Sequence, residues 1–296
     1  MAKAAEKSLA VLYREITARF AAAGIENAAG DARILLQAAA DMTREDWAAG
    51  AAKLPDKNTE ERVLSYAQRR ISGEPVSRIL GRRGFYKGEF LLSSDTLDPR
   101  PDTETLVETV LAHIADKNAK LRILDLGTGT GCIVLSLLTE LPLAEAVGTD
   151  IAAGAIKTAE ENAVLAGCDA RCRFAVLDWK EAGEVAALGR FDIVVSNPPY
   201  IRSGDIPHLD REVRDHDPLR ALDGGADGLD CYREILALLP SVLKPGGFCA
   251  FETGYDQAQE VAELCRTAGF VDISVAKDMG DRERCIFFRT KYQENA

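Results

Sequence analysis

Asn197-Pro198-Pro199-Tyr200 closes an apolar run, residues 191–196, that reads as a buried strand. Two successive prolines have a fixed φ and no backbone N–H. The turn is therefore stiff and rich in acceptors, among them the Asn197 side-chain oxygen and the Pro198 carbonyl. Each can take one N–H of an NH₂ group. A nitrogen held by both loses part of its conjugation, and its lone pair turns towards an electrophile in line with it, a positioning effect that can lower a barrier substantially. Tyr200 adds a flat face for a planar group. No strong base is required, because the alkylated nitrogen is cationic and gives up its proton to solvent. Asn197, Pro198 and Tyr200 are the candidate catalytic residues, and all four residues are candidate substrate contacts. The acceptor stays open: a side-chain amide and a nucleobase amine present the same atoms. A strand-ending turn without chemistry is the plain alternative.

A second constellation precedes it. The strand Ile123-Leu124-Asp125-Leu126 runs into Gly127-Thr128-Gly129-Thr130-Gly131 and then an apolar helix from Cys132. Glycines belong where a turn is tight and a ligand lies against the backbone. A ligand-free turn is one alternative. A dinucleotide site is another, but its usual spacing is GxGxxG, with a pyrophosphate on the helix N-terminus. The tighter GxGxG suits a ligand without phosphate, such as S-adenosylmethionine. One strand later Asp150 ends a run where a carboxylate can bind both ribose hydroxyls; it can equally start the next helix. At a third strand end, Asp178 and Trp179 are placed to take an adenine amino group and pack on its ring.

These residues need a scaffold. Strands expected at 122–126, 144–149, 173–177, 191–196, 247–252, 271–277 and 284–289 alternate with helices, which implies a mostly parallel sheet covered on both faces. The last two runs are close together and form an antiparallel edge pair. A helix follows Pro101 to about His113, with Asp102 or Thr103 as its cap. Arg100 either reaches substrate or braces the loop. Arg211, Glu212, Arg214 and Asp215 read as a charged segment covering the substrate. Residues 1–75 carry no strand pattern. Leu9, Leu12, Ile16 and Phe20 lie on one helical face, Thr43 to Asp46 opens a capping box, Asn58 starts a helix that Gly73 and Pro75 close, and Trp47 reads as core. The expected division is a helical domain at 1–75, a hairpin linker at 76–98 and an α/β domain at 99–296.

Composition narrows the partners. Of 296 residues, 47% are hydrophobic and 28% charged, enough for a proper core. The formal charge of −11 argues against tight nucleic-acid binding, which draws on clustered Lys and Arg. No apolar run reaches the ~18 residues of a bilayer span. Lys3, Glu6, Lys7, Arg14 and Glu15 interrupt what a signal peptide would keep apolar. A cytoplasmic, monomeric protein without direct nucleic-acid or membrane partners is expected. Seven cysteines without a CxxC pair read as reduced thiols, and three histidines without a cluster predict no metal.

The chain resembles the bacterial release-factor glutamine N5-methyltransferases of the HemK type. Besides both constellations, the likeness includes Gly73-Glu74-Pro75-Val76, Ile79-Leu80-Gly81, Phe85-Tyr86, Pro99-Arg100-Pro101-Asp102-Thr103-Glu104, Gly224-Gly225-Ala226-Asp227-Gly228-Leu229, Lys244-Pro245-Gly246-Gly247 and Gly280-Asp281. Where the family usually has an aliphatic residue before the PRP segment, this chain reads Leu97-Asp98-Pro99. The resemblance implies a class I S-adenosylmethionine methyltransferase (Rossmann-like) fold. It implies methylation of the glutamine amide in the GGQ loop of peptide chain release factors, with the N-terminal helices contacting the release factor. The cofactor would lie on Gly127 to Gly131, Asp150, Trp179 and Asn197, and the acceptor on Asn197 to Tyr200. A ribosomal-protein glutamine methyltransferase, a nucleic-acid amine methyltransferase and a non-catalytic binding module are the alternatives.

Overall fold

The computed structural model describes residues 7–50 and 53–291; the leader-region reading at Lys3 and Glu6 lies outside the described residues. The chain forms two compact units, Met1–Gly81 and Arg82–Ala296.

In the first unit, α1 (Leu9–Ala22), α2 (Ala28–Ala39), α3 (Arg44–Gly50), α4 (Lys57–Ile71) and α5 (Val76–Leu80) follow one another. The one-sided spacing of α1 buries Leu12, Ile16 and Phe20 against Ala32, Leu35, Leu36 and Val63. Trp47 is partly buried on this core, edge-on to Tyr13 with ring centroids 5.7 Å apart. The box before α3 forms as its sequence suggests: the Asp46 N–H donates to Thr43 Oγ1 and the Thr43 N–H to Asp46 Oδ2, each at 3.1 Å. The next helix starts earlier than Asn58, because Asp56 Oδ1 accepts the Thr59 N–H at 2.7 Å and caps it. Arg70 and Asp31 form a buried ion pair at 2.7 Å.

The segment from Val76 differs from its expected extended form. Pro75 supplies the N-cap, Ile79 is buried in the helical core, and Gly81 ends α5 at φ 68. A single helical turn needs only that stop, and the glycine supplies it. Extended chain begins at Arg82, with β1 (Arg82–Phe85) and β2 (Gly88–Leu91) as an antiparallel hairpin. Phe85 and Phe90 share a core with Leu106, Val110 and Ile133. The hairpin is thus an integral layer of the second unit.

That unit continues through α6 (Glu104–Ala112), β3 (Arg122–Leu126), α7 (Cys132–Glu140), β4 (Glu145–Asp150), α8 (Ala153–Leu165), β5 (Cys172–Val176), α9 (Ala182–Ala187) and β6 (Phe191–Ser196). It ends with α10 (Arg211–Arg214), α11 (Asp230–Val242), β7 (Leu243–Glu252), α12 (Ala258–Thr267), β8 (Val271–Lys277) and β9 (Glu283–Arg289). The seven-stranded sheet has the order β5-β4-β3-β6-β7-β9-β8. All neighbours are parallel except β9, which runs antiparallel to both β7 and β8. From β3 the chain builds outward to β4 and β5, then returns to place β6 on the other side. Strand order therefore reverses between β3 and β6, and a crevice opens at their carboxyl ends. Leu126 is paired with Ser196, and the Ser196 hydroxyl donates to the Leu126 carbonyl at 2.7 Å. The next residues, Gly127 and Asn197, consequently leave the sheet side by side.

Among the described residues no helix is long and apolar enough to cross a membrane. The seven cysteines are free, and all but Cys231 are buried.

Candidate active site

A cavity of about 420 Å³ fills the crevice, within the usual range for a small-molecule site. It is lined by Gly127, Thr128, Gly129 and Thr130 on one side, by Asp150, Asp178 and Trp179 on the next strand ends, and by Asn197 and Pro199 beyond the switch point. Residues 70 positions apart in sequence meet here because their strands are neighbours.

The glycine loop is held in place by side chains around it. The Thr128 hydroxyl donates to Asp125 Oδ2 at 2.7 Å, and the Thr128 N–H to the Thr149 carbonyl at 2.8 Å. Gly129 has φ +54, and a Cβ there would meet no protein atom within 4 Å, so its backbone faces open cavity. At Gly127, φ +72, a Cβ would come within 3.2 Å of the Trp179 ring. Both positions need glycine for conformation, and the first leaves room that a ligand can fill. Gly131 closes the loop as the N-cap of α7.

Asp125 lies buried behind this loop. Burial, with the Asp150 charge adding to it, pushes its carboxyl up to about 7, against the Thr128 bond. Its Oδ1 has no hydrogen-bond partner. Asp150 performs two tasks at once. Its Oδ2 accepts the Gly129 N–H and its Oδ1 the Ala152 N–H, both at 2.9 Å. Ala152 is the N-cap residue of α8, so the carboxylate organises that helix start and still borders the cavity. Burial raises its pKa, and these two N–H groups oppose the rise.

Asp178 folds back on its own turn, with Oδ1 accepting the Lys180 N–H at 2.9 Å. Trp179 donates its indole N–H to Glu234 Oε2 at 2.9 Å, which fixes the ring against Gly127.

At the tip of β6 the Asn197 Nδ2 donates to Thr103 Oγ1 at 3.3 Å. With the NH₂ end so committed, Oδ1 is the end of the amide left to the cavity. Pro198 is buried and, like Tyr200, lies outside the cavity lining, whereas Pro199 is part of it. The Tyr200 hydroxyl donates to Glu252 Oε1 at 3.0 Å. Burial and the Glu252 charge hold the phenol well above its ordinary pKa, so it is neutral at physiological pH. Glu252 ends β7 almost wholly buried, at 2% exposure. Burial raises its pKa, while the Thr103 and Tyr200 hydroxyls and the Arg284 cation favour its charged form. Its Oε2 has no hydrogen-bond partner.

The segment before α6 differs from its expected capping. Asp102 is paired with Arg284 at 2.9 Å and Thr103 with Asn197, so neither side chain caps the helix. A 3₁₀ turn, Pro101–Thr103, leads directly into α6 instead. Glu104 accepts the Tyr86 N–H at 2.9 Å. Arg100 is a brace: its guanidinium bonds Asp217 Oδ2 at 2.8 Å, and the same buried carboxylate takes the Asp98 N–H at 3.3 Å. Asp98 in turn faces Arg83 at 3.7 Å, which accommodates the acid at an otherwise aliphatic position. Arg211 and Arg214 both pair with Asp215 on the exposed α10.

Three polar side chains that hold the site carry no motif. Asn162, on α8 and 1% exposed, bonds the Leu91 N–H at 2.8 Å, the Leu91 carbonyl at 3.1 Å and the Thr130 carbonyl at 2.9 Å. Glu234 fixes Trp179. Glu252 holds the Tyr200 hydroxyl, and its position after the apolar run Phe248-Cys249-Ala250-Phe251 was its one visible signal. Among the described residues no cluster of His, Cys, Asp and Glu is arranged to hold a metal ion.

Comparison with known proteins agrees with this geometry. A family model described as a methyltransferase domain matches residues 117–287, and one described as the PrmC N-terminal domain matches residues 12–81. A release factor glutamine methyltransferase of Rhodospirillum rubrum is 45% identical over 97% of this chain and 87% of its own length. One from Agrobacterium fabrum is 42% identical over 92% and 93%. A solved protein-(glutamine-N5) methyltransferase (release factor-specific) from Alicyclobacillus acidocaldarius is 30% identical, with a TM-score of 0.41 over 65% of this chain and 94% of that one. With two relatives above 40% identity along nearly their whole length, and a cavity built at the switch point of a class I methyltransferase sheet, the chain belongs to the release factor glutamine methyltransferases.

Proposed function

We propose that this methyltransferase uses S-adenosylmethionine to methylate the side-chain amide nitrogen, N5, of the glutamine in the GGQ motif of peptide chain release factors. The observation that carries the reading is one cavity bordered by both the glycine cradle and Asn197, whose amide NH₂ end is taken by Thr103.

The residues fit the donor. Gly129 leaves the space a Cβ would take, and its N–H is already committed to Asp150, which leaves it unsuited to a phosphate. The cavity walls carry Asp95, Asp150, Asp178, Asp223, Asp230 and Glu234 against Lys180 and Arg220. Such walls favour a cationic ligand over a dinucleotide. Gly127 to Gly131 would back the ligand, Asp150 and its free lone pairs would take the ribose, and Asp178 with Trp179 would border the adenine. Bound there, S-adenosylmethionine supplies an electrophilic methyl on a sulfonium and leaves as S-adenosylhomocysteine.

The chain's own residues do the rest. Asn197 Oδ1 and the Pro198 carbonyl each accept one N–H of the glutamine amide and hold its nitrogen in line. Pro199 keeps the turn stiff, and Tyr200 gives the amide a flat neighbour. The methylated nitrogen is cationic and loses its proton to water, so no strong base or metal enters the scheme. The helical unit at Met1–Gly81 is read as the release-factor contact, and the reaction as cytoplasmic, with no nucleic-acid or membrane partner and a monomeric enzyme.

Purified enzyme, labelled donor and purified release factor test the reading, with mass mapping of the product. Label should appear on the GGQ glutamine, and Asn197→Ala should lower turnover by about a hundredfold or more, in line with loss of a transition-state hydrogen bond. Absence of label on that glutamine would overturn the reading.

A further inference from the structure

Two stretches of the cavity wall come from outside the seven-stranded sheet. One follows the hairpin and begins with the turn from Ser93 to Thr96; the other begins with the 3₁₀ turn Leu219–Ala221. Asp95 of the first and Arg220 of the second both line the cavity. They meet there: the Arg220 guanidinium donates to Asp95 Oδ1 at 3.3 Å.

Both partners are held in place by their surroundings. The Ser93 N–H donates to Thr96 Oγ1 and the Thr96 hydroxyl to the Ser93 carbonyl, each at 3.1 Å, with Thr96 fully buried. Facing the Asp95 carboxylate is Gly154, in the first turn of α8, where a Cβ would collide with Asp95 Oδ2. The carboxylate lies where it does because that residue has no side chain. The turn bearing Arg220 is stitched to Ile201, the residue after Tyr200. The Ile201 N–H donates to the Leu222 carbonyl at 2.9 Å, and its carbonyl accepts the Gly224 N–H at 2.8 Å. Farther along the same two stretches, Arg100 and Asp217 pair at 2.8 Å. The two pairs differ in setting. The Asp217 side chain is 2% exposed, whereas those of Asp95 and Arg220 are 37% and 54% exposed. Parting the first strands a buried charge, and parting the second costs little.

We propose that Asp95 and Arg220 form a clasp on the donor cavity, which parts for each exchange of donor and product while the Arg100–Asp217 pair serves as the hinge. The proposal rests on the donor reading of the cavity given above. A clasp that acts alike on the empty and the occupied cavity governs how fast a ligand enters and leaves, and not how tightly it is held. The population of the open form scales both rates together. A side chain that only touched the ligand would behave differently, since its loss would raise the dissociation rate and weaken affinity to the same degree. The two roles are thus separable by kinetics.

Stopped-flow binding of S-adenosylhomocysteine to the full chain tests it, with Trp179 in the cavity wall as the fluorescent reporter. Rapid chase of labelled S-adenosylmethionine reads dissociation independently. Asp95→Asn and Arg220→Gln should each raise association and dissociation rates together, by about three- to fivefold, as much as an exposed pair allows. The dissociation constant should stay within about twofold. Gly154→Ala alters neither partner, yet its methyl displaces the Asp95 carboxylate and should speed both rates in the same way. The double variant Asp95→Asn/Arg220→Gln should be no faster than either single one, because a clasp opened once is not opened further. Unchanged rates, faster dissociation alone with a matching loss of affinity, or additive single effects would each overturn the clasp. Amide exchange in the ligand-free chain gives a second reading. The N–H groups of Ala221, Leu222 and Asp223, which close the turn bearing Arg220, should exchange faster in every variant. Should neither S-adenosyl ligand bind the wild-type chain, the donor reading falls, and that exchange still decides the clasp: unchanged protection would overturn it.

Discussion

Asp150 Oδ2 accepts the Gly129 N–H at 2.9 Å, tying the middle of the glycine loop to the end of the adjacent strand. The bond explains how five residues with three left-handed glycines keep one shape. The loop is clamped from β4 by Asp150, from α8 by Asn162 through the Thr130 carbonyl, and from β3 by Asp125 through the Thr128 hydroxyl. Each clamp comes from a different element, so the loop's geometry is set by the sheet and its helices together.

Gly129→Ala should separate stability from binding. Its φ of +54 is strained for an L-residue, at about 1–2 kcal/mol. For a unit of this size that lowers Tm by roughly 2–4 °C per kcal/mol. The added methyl meets no protein atom within 4 Å, so it projects into space meant for ligand. Overpacking of that kind costs about 1–3 kcal/mol, or roughly ten- to hundredfold in affinity for S-adenosylmethionine. Differential scanning fluorimetry and calorimetry read the two effects. Unimpaired affinity would show that the ligand does not rest on Gly129.

Asp125 should leave a signature in the pH dependence of stability. Its folded carboxyl titrates near 7 because it is buried, whereas the unfolded one titrates near 3.8. Between those values the folded chain holds a proton that the unfolded chain has released. Stability contributed by this group is therefore full at low pH and falls as pH rises from about 4 to 7, at about 1.4 kcal/mol per unit. Urea unfolding of ligand-free protein across that window should show the fall, and Asp125→Asn should flatten it. The same slope in both proteins would assign the effect to other groups.

Much of the scaffold was legible because its signals are local. The strands 122–126 and 191–196 are short, largely apolar runs in which Asp125 and Asp192 are the interruptions, and the structure gives both the same bounds. Their adjacency was implied by the alternating pattern, since a doubly wound sheet brings its switch-point strands together. The glycines and the proline pair announced themselves by backbone chemistry. Val76–Leu80 misled for the opposite reason: five residues next to glycine and proline carry too little periodicity to tell a helical turn from a strand, and burial of Ile79 decides. Asp102 and Thr103 have the composition of caps, but Arg284 and Asn197, far along the chain, engage both side chains. Asn162, Glu234 and Glu252 were silent because a polar residue gains its meaning from what it faces, and each faces a group 20 or more positions away.

Asn162 offers a last test of how the loop is held. The side chain is buried and saturates three backbone groups: the Leu91 N–H, the Leu91 carbonyl and the Thr130 carbonyl. It thereby fastens β2 and the glycine loop to the same point on α8. Asn162→Ala would leave those groups without that partner, the Thr130 carbonyl in a buried setting and the Leu91 groups in a part-buried one. At about 1–3 kcal/mol for each unsatisfied buried group, and with relaxation absorbing part of it, the loss should come to about 3 kcal/mol. Asn162→Asp should cost as much or more. It keeps an acceptor for the Leu91 N–H, but it sets a buried carboxylate against two carbonyls. Denaturant unfolding measures both variants, and calorimetry with S-adenosylmethionine adds a second reading. Because the Thr130 carbonyl belongs to the glycine loop, affinity should weaken along with stability. Lost stability with unchanged affinity would confine Asn162 to fastening the hairpin, and would leave the loop's shape to Asp150 and Asp125.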